Sequence, residues 1–206
     1  MYIIIHKTNN GLNEEQKRVF DEKLLLKGDI RLNDNFALAD PSHKLILRPD
    51  AVREIFDFVE WDVGQRLDVR DEQGGILIGK RFLDEGRGIH YVVVTKSISA
   101  DGAHGSMGSL EITNQCWGLM HDKKDDYNRE IDQKAIIVGW FHTHPNQLGC
   151  FMSSVDRYTQ DLFFDGDNTY SIVINPQRHL LKAYRAKTCL DAQAFLLLDC
   201  PHGTEN

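Results

Sequence analysis

Three side chains in this sequence stand at spacings that suit a metal ion. His142 and His144, within Trp140-Phe-His-Thr-His-Pro145, close an apolar run that begins at Ala135. That run reads as a strand, and residues two apart on a strand point to the same side, so both imidazoles can aim at one point. Asp156 follows after residues 145–155, a stretch that contains Gly149 and ends in a helix start at Ser153-Ser-Val-Asp156. A loop of that length can fold back and bring the carboxylate to the two rings. Two histidines and one aspartate leave one tetrahedral position open, as in a catalytic zinc site rather than a closed structural one. Zinc lowers the pKa of its water to about 7, but a general base must still carry the proton to a leaving amine. Glu72 is the candidate, because it directly precedes Gln73-Gly-Gly-Ile-Leu-Ile-Gly79, where the glycines allow close backbone approach in a buried strand. Ser153 can donate its hydroxyl to the developing oxyanion.

Each piece alone has a blander reading. A His-x-His on a strand is more often coincidence than a ligand pair, and Ser-x-x-Asp is a common helix N-cap arrangement. In order, however, Glu72-Gln-Gly-Gly-Ile-Leu-Ile-Gly79, Val138-Gly-Trp-Phe-His-Thr-His-Pro145 and Gly149-Cys-Phe-Met-Ser-Ser-Val-Asp-Arg-Tyr-Thr-Gln160 resemble the JAMM or MPN-plus (JAB domain) metalloprotease family. The resemblance covers about residues 45–186, and the Gly-Cys-aromatic stretch is similar to the deubiquitinases of the proteasome lid. It implies an α/β domain with a mixed central β-sheet flanked by helices, of the cytidine-deaminase-like type. It also implies zinc held by His142, His144 and Asp156, Glu72 as general acid and base, and Ser153 assisting the tetrahedral intermediate. The implied reaction is cleavage after the C-terminal tail of a ubiquitin or ubiquitin-like protein, by deconjugation or precursor processing. Ubiquitin-like proteins or their conjugates are then the partners, with E1- or E2-like proteins of the same system beside them. The compact length and the N-terminal extension resemble prokaryotic members. Two departures stand out. The spacing from His144 to Asp156 is one residue longer than the family's usual pattern, which is expected to bulge the loop at Asn146-Gln147-Leu148. The segment 160–170 is short beside members that select a linkage with a long second insertion, so linkage selectivity is not implied.

The elements that must position these residues follow from periodicity. A single catalytic domain is expected over 45–186, preceded by an extension over 1–44 and followed by a tail or short packing helix over 187–206. In the extension, Tyr2–Ile5 reads as a strand, Asn9-Asn10-Gly11 as a turn and residues 13–27 as helical. Lys44–Arg48 reads as a strand, and Pro49-Asp50 opens a helix with Val52, Ile55, Phe56 and Val59 on one face. Strands are expected at 75–79, 89–95, 135–141, 170–174 and 180–185, and helices at 109–127 and 154–164.

Composition bounds the remaining classes. With 206 residues, 41% apolar, and 24 Lys+Arg against 31 Asp+Glu for a net charge of −7, the chain is neither disordered nor collagen-like. No long basic run suits nucleic acid. No apolar run approaches the roughly 20 residues that span a bilayer, and no secretory signal pattern opens the chain, so no membrane partner and a cytoplasmic location are expected. Cys116, Cys150, Cys189 and Cys200 contain no Cys-x-x-Cys pair and fit a reduced compartment. Cys150 reads as a packing residue rather than a nucleophile, His90 as a strand residue, His104, His121 and His179 as surface, and Trp117 as core. Two other functional classes compete: a non-catalytic MPN-type scaffold, whose hallmark is loss of the ligands that are intact here, and a zinc hydrolase of small peptides. A nucleobase deaminase lacks its Pro-Cys-x-x-Cys and His-x-Glu here, and a cell-wall peptidase lacks its secretion signal.

Overall fold

The computed structural model describes residues 39–61 and 70–197, together with the backbone of two short N-terminal strands. In chain order the strands are β1 (Tyr2–Ile5), β2 (Arg18–Asp21), β3 (His43–Leu47), β4 (Gly74–Asp84), β5 (Ile89–Ser99), β6 (His104–Ser106), β7 (Ser109–Glu111), β8 (Ile136–Thr143), β9 (Tyr170–Asn175), β10 (Leu180–Arg185), β11 (Leu190–Asp191) and β12 (Gln193–Leu196). The helices are α1 (Pro49–Phe58), α2 (Asn114–Glu130) and α3 (Ser154–Phe163).

One mixed sheet of eight strands, ordered β11-β10-β9-β8-β4-β5-β3-β12, forms the centre. β4 pairs antiparallel with both β5 and β8, whereas β8 with β9, β3 with β5 and β12 with β3 are parallel. Both faces of the sheet are covered, which is why its strands read as unbroken apolar runs; every residue of β9 is buried. Alternation along β4 sorts the two cores. Leu77 joins Ala51, Val52 and Ile55 of α1 on one face, while Ile76 and Ile78 join Met120 of α2 and Phe164 after α3 on the other. This is the α/β architecture, a mixed sheet flanked by helices, that the sequence implies.

Local chemistry sets the element ends. Pro49 opens α1, where its missing N–H costs nothing and its fixed φ suits the first turn. The glycines of β4 allow the close approach read from the sequence: a Cβ on Gly75 would stand 2.2 Å from the Ile98 carbonyl oxygen of β5. α2 starts later than periodicity suggests. Thr113 caps it, its Oγ1 accepting from Cys116 N–H at 3.3 Å, and Ser109–Glu111 instead pairs as β7 with β6.

Two further readings are corrected. Within the stretch 13–27, Arg18–Asp21 is a strand paired antiparallel with Tyr2–Ile5, residue 3 opposite residue 20 and residue 4 opposite residue 19; the β-branched and aromatic residue types at Val19 and Phe20 suit a strand better than a helix. The rest of that stretch and the turn at 9–11 lie outside the described residues. After residue 186 there is neither a free tail nor a helix over the described part: β11 pairs with β10, and β12 lies parallel to β3 at the far edge of the sheet, with Ala194 and Leu196 in the core under α1. Among the described residues, no helix is long and apolar enough to cross a membrane.

Candidate metal centre and active site

The site lies where the C-terminal end of β8, the start of β4 and the N-terminus of α3 meet. His142 sits opposite Gly74 of β4 and Val173 of β9. Pairing continues past the strand end, since His144 N–H donates to the Ile174 carbonyl at 2.8 Å and Thr143 N–H to the Gln73 carbonyl at 2.7 Å. Thr143 Oγ1 accepts from Gln73 N–H at 2.8 Å. These two bonds register the segment carrying Glu72 against the segment carrying the histidines. The β6–β7 hairpin closes over Glu72 from outside: Glu72 N–H donates to the Ser106 carbonyl at 2.9 Å. Gly105 is required there, because a Cβ would stand 2.2 Å from the Glu72 carbonyl oxygen.

Asp156 reaches the rings as the third residue of α3. Ser153 is the N-cap; its Oγ accepts from Asp156 N–H at 3.2 Å while Asp156 Oδ2 accepts from Ser153 N–H at 2.7 Å. This reciprocal capping box satisfies two helix-end amides and locks the carboxylate. The helix-cap reading of Ser-x-x-Asp and the ligand reading therefore describe the same geometry. The preceding loop turns where the extra residue was expected to bulge: Asn146 takes a left-handed φ of 62°, and Leu148 N–H donates to the Pro145 carbonyl at 3.3 Å. Asn146 bonds the backbone of Arg70 through both ends of its amide. The fully buried Asn175 donates to the carbonyls of Asn146 at 3.1 Å and Leu148 at 2.8 Å.

Among the described residues, His142, His144 and Asp156 offer converging ligand atoms, and all three are buried. Nε2 of His142 and Nε2 of His144 are 3.3 Å apart, His142 Nε2 to Asp156 Oδ1 is 3.3 Å, and His144 Nε2 to Asp156 Oδ2 is 3.3 Å. A tetrahedral ion with ligands at roughly 2.0–2.1 Å separates them by about 3.3–3.4 Å, so the triangle fits zinc. The tautomer fits as well. His144 Nδ1 lies 2.9 Å from the Gly149 carbonyl, which can only accept, so Nδ1–H donates and Nε2 keeps its lone pair in the neutral ring.

Charge points the same way. Burial lowers the His142 pKa, outweighing the pull of Asp156, which favours the neutral form that a metal ligand needs. Burial also opposes ionisation of Asp156, but without a metal, when the imidazoles can turn an N–H toward it, His142, His144 and Ser153 outweigh burial and hold the carboxyl well below its usual range. His144 is shifted upward against its own burial by Asp156, the Gly149 carbonyl and Glu72. A buried carboxylate between two imidazoles calls for a cation, and a metal ion suits that demand. Glu72, 5% exposed, places Oε1 3.9 Å from His144 Nε2. Its own burial pushes its pKa up to about 7, with the His144 ring working downward and Asp156 upward, near the value that lets one group take and return a proton at neutral pH.

Of the five residues singled out in the sequence, His142, His144, Asp156 and Glu72 are buried around one point, and the half-buried Ser153 adjoins them through its capping bonds with Asp156. The other readings also find their places: Cys150 Sγ donates to the Leu180 carbonyl at 3.5 Å, His90 stacks on His43 within the sheet at 4.8 Å, and His104, His121 and His179 are exposed. The sequence does not single out Thr143 and Asn175, or the bonds that Asn146 makes to Arg70, and their signal is faint: polar residues at strand ends and turns within otherwise apolar runs.

A buried His-His-Asp triad with an acidic neighbour, at one end of a helix-covered mixed sheet, is a site able to hold a metal ion. The sequence model of the family described as JAB1/Mov34/MPN/PAD-1 ubiquitin protease matches residues 40–167, and the chain belongs to that family. Among its relatives, it is 28% identical over 135 residues to ubiquitin carboxyl-terminal hydrolase RPN11 of Saccharomyces cerevisiae, covering 65% of this chain and 39% of that protein. It is 28% identical over 119 residues to 26S proteasome non-ATPase regulatory subunit 14 of Dictyostelium discoideum, covering 57% and 34%. It is 34% identical over 76 residues to AMSH-like ubiquitin thioesterase 2 of Arabidopsis thaliana, covering 35% and 27%. The chain spans less than two thirds of the length of each of these curated relatives.

Proposed function

We propose that this protein is a zinc-dependent isopeptidase or peptidase that cleaves after the C-terminal tail of a ubiquitin or ubiquitin-like protein. One observation carries the reading: the 3.3 Å triangle of His142, His144 and Asp156 with the buried Glu72 carboxylate at 3.9 Å from His144. The family match and the names of the relatives support the substrate class. The catalytic domain of this reading is residues 45–186, with β12 added to its sheet edge. E1- and E2-like proteins are its companions, and the cytoplasm its location.

When bound by His142, His144 and Asp156, zinc supplies a Lewis acid that polarises the scissile carbonyl and acidifies water. The chain's own residues do the rest. Glu72 takes a proton from the attacking water and returns it to the leaving amine. Ser153 Oγ accepts the helix-end amide, which leaves its O–H free to donate to the oxyanion. An extended tail lying along the β6–β7 hairpin beside Glu72 would add main-chain hydrogen bonds as an extra strand does. Phe151, 49% exposed and edge-on to the His144 ring at 4.9 Å, lies at the mouth. The test is cleavage of isopeptide-linked ubiquitin and of a ubiquitin-like fusion, before and after chelation and zinc replacement. Hydrolysis that stops on chelation and returns with zinc supports the reading. Hydrolysis indifferent to chelators contradicts it.

A further inference from the structure

His142 is the ligand that hydrogen bonds hold least. A metal-ligating histidine ordinarily donates its second ring N–H to a carbonyl or carboxylate, as His144 does to Gly149. His142 Nδ1 is buried and has no hydrogen-bond partner among the described residues. An aromatic face orients this ring instead. Trp140, two residues earlier and on the same side of β8, stacks on it with centroids 4.4 Å apart and planes 12° from parallel.

The indole is itself fixed by a buried amide. Trp140 Nε1–H donates to Gln160 Oε1 at 2.7 Å. Gln160 is fully buried, and its Nε2 donates to the Phe164 carbonyl at 2.9 Å, so its orientation is set at both ends. Gln160 lies four residues after Asp156 on α3, hence on the same helix face, and both are the buried residues of that helix. One side-chain hydrogen bond therefore joins the strand that carries two ligands to the helix that carries the third.

We propose that Gln160 and Trp140 are positioning residues of the metal centre, a clamp between α3 and β8 that sets the His142 ring and the Asp156 carboxylate at ligand separation. This rests on the reading of the triad as a zinc site. Its physical content is that the aromatic stack does for His142 what a hydrogen-bonded outer partner does elsewhere. Loss of the clamp frees the ring to rotate and the helix to shift, and metal affinity drops more than folding alone explains.

The test compares zinc affinity, by chelator competition, with the cobalt(II) absorption spectrum and with the melting of the metal-free protein. Gln160→Met keeps side-chain length but removes the acceptor, and its zinc affinity is expected to fall about ten-fold or more, the range for outer-partner loss, with altered cobalt bands. Trp140→Phe keeps a stacked ring without the N–H and should change both readouts in the same direction; if Gln160→Met does not fold, it decides alone. Gln160→Glu, whose neutral carboxyl can accept from the indole and donate to Phe164, should restore most of the affinity. Ile46→Ala, fully buried in a separate apolar cluster, should lower the melting temperature and leave zinc affinity unchanged. Unchanged affinity and spectrum in Gln160→Met and Trp140→Phe, or an equal loss of affinity in Ile46→Ala, overturns the clamp. An unaltered protein that binds no zinc overturns the metal site itself, and the clamp with it.

Discussion

Glu72 owes its raised pKa first to burial, and its proposed role depends on a carboxylate that can both take and give a proton. Glu72→Gln is expected to keep the fold and the metal while single-turnover cleavage falls by about 10²–10⁴-fold or more; a near-normal rate would place the base elsewhere. Cys150 gives the opposite expectation. Burial pushes its thiol up to about 11, so little thiolate, the reactive form, is present at neutral pH. Labelling by iodoacetamide should be slow near neutrality and accelerate as pH rises toward that value, and Cys150→Ser should cleave at the unaltered rate. Rapid labelling at neutral pH, with loss of cleavage in Cys150→Ser, would place the cysteine in the mechanism. At this scale the sequence was most legible where chemistry and period coincide. His142 and His144 alternate with Thr143 on a strand end, and period two alone puts their rings on one side. Trp140 and Gln160 were illegible for the converse reason: an aromatic residue in an apolar strand and an amide in a helix look the same whether or not they touch.

At the scale of elements, α3 has two duties at its first turn. Ser153 caps the helix, and its hydroxyl proton is the proposed oxyanion donor. Substitution separates them. Ser153→Ala should lower stability by roughly 1 kcal/mol, the usual cost of a lost N-cap, and depress kcat as well. Ser153→Asp, an equally good cap without the hydroxyl donor, should retain the melting temperature and still lose kcat. If Ser153→Asp cleaves as the unaltered protein does, the serine is a cap and nothing more. The capping box also explains why α3 was readable from Ser153-Ser-Val-Asp156, whereas α2 was not bounded correctly: Leu110 and Ile112 continue an apolar pattern backward, but the helix starts where Thr113 supplies a cap. β12 could not be foreseen. The Ala194–Leu198 run is short and apolar, ambiguous by periodicity, and its parallel partner β3 lies far away in sequence.

For the whole molecule, the β4–β8 pairing brings residue 72 to residues 142 and 144, and the N-terminus of α3 presents residue 156 to them, a meeting that the ordered motif implied and no local pattern could specify. The same architecture leaves the β6–β7 hairpin and Phe151 facing outward beside the triad. If an extended tail lies there while a folded modifier body supplies binding energy from a distance, a ubiquitin-like fusion should be cleaved with a much higher kcat/KM than the isolated tail peptide, and a bulky residue in place of the final glycine should depress the rate. Equal kcat/KM for peptide and fusion would indicate a small-peptide hydrolase on the same frame. Beneath all of this stands the proposed metal site, and elemental analysis tests it most directly. One zinc per chain is expected in the unaltered protein and in Glu72→Gln, and none in His142→Ala combined with His144→Ala; zinc retained in that double variant would rule the site out.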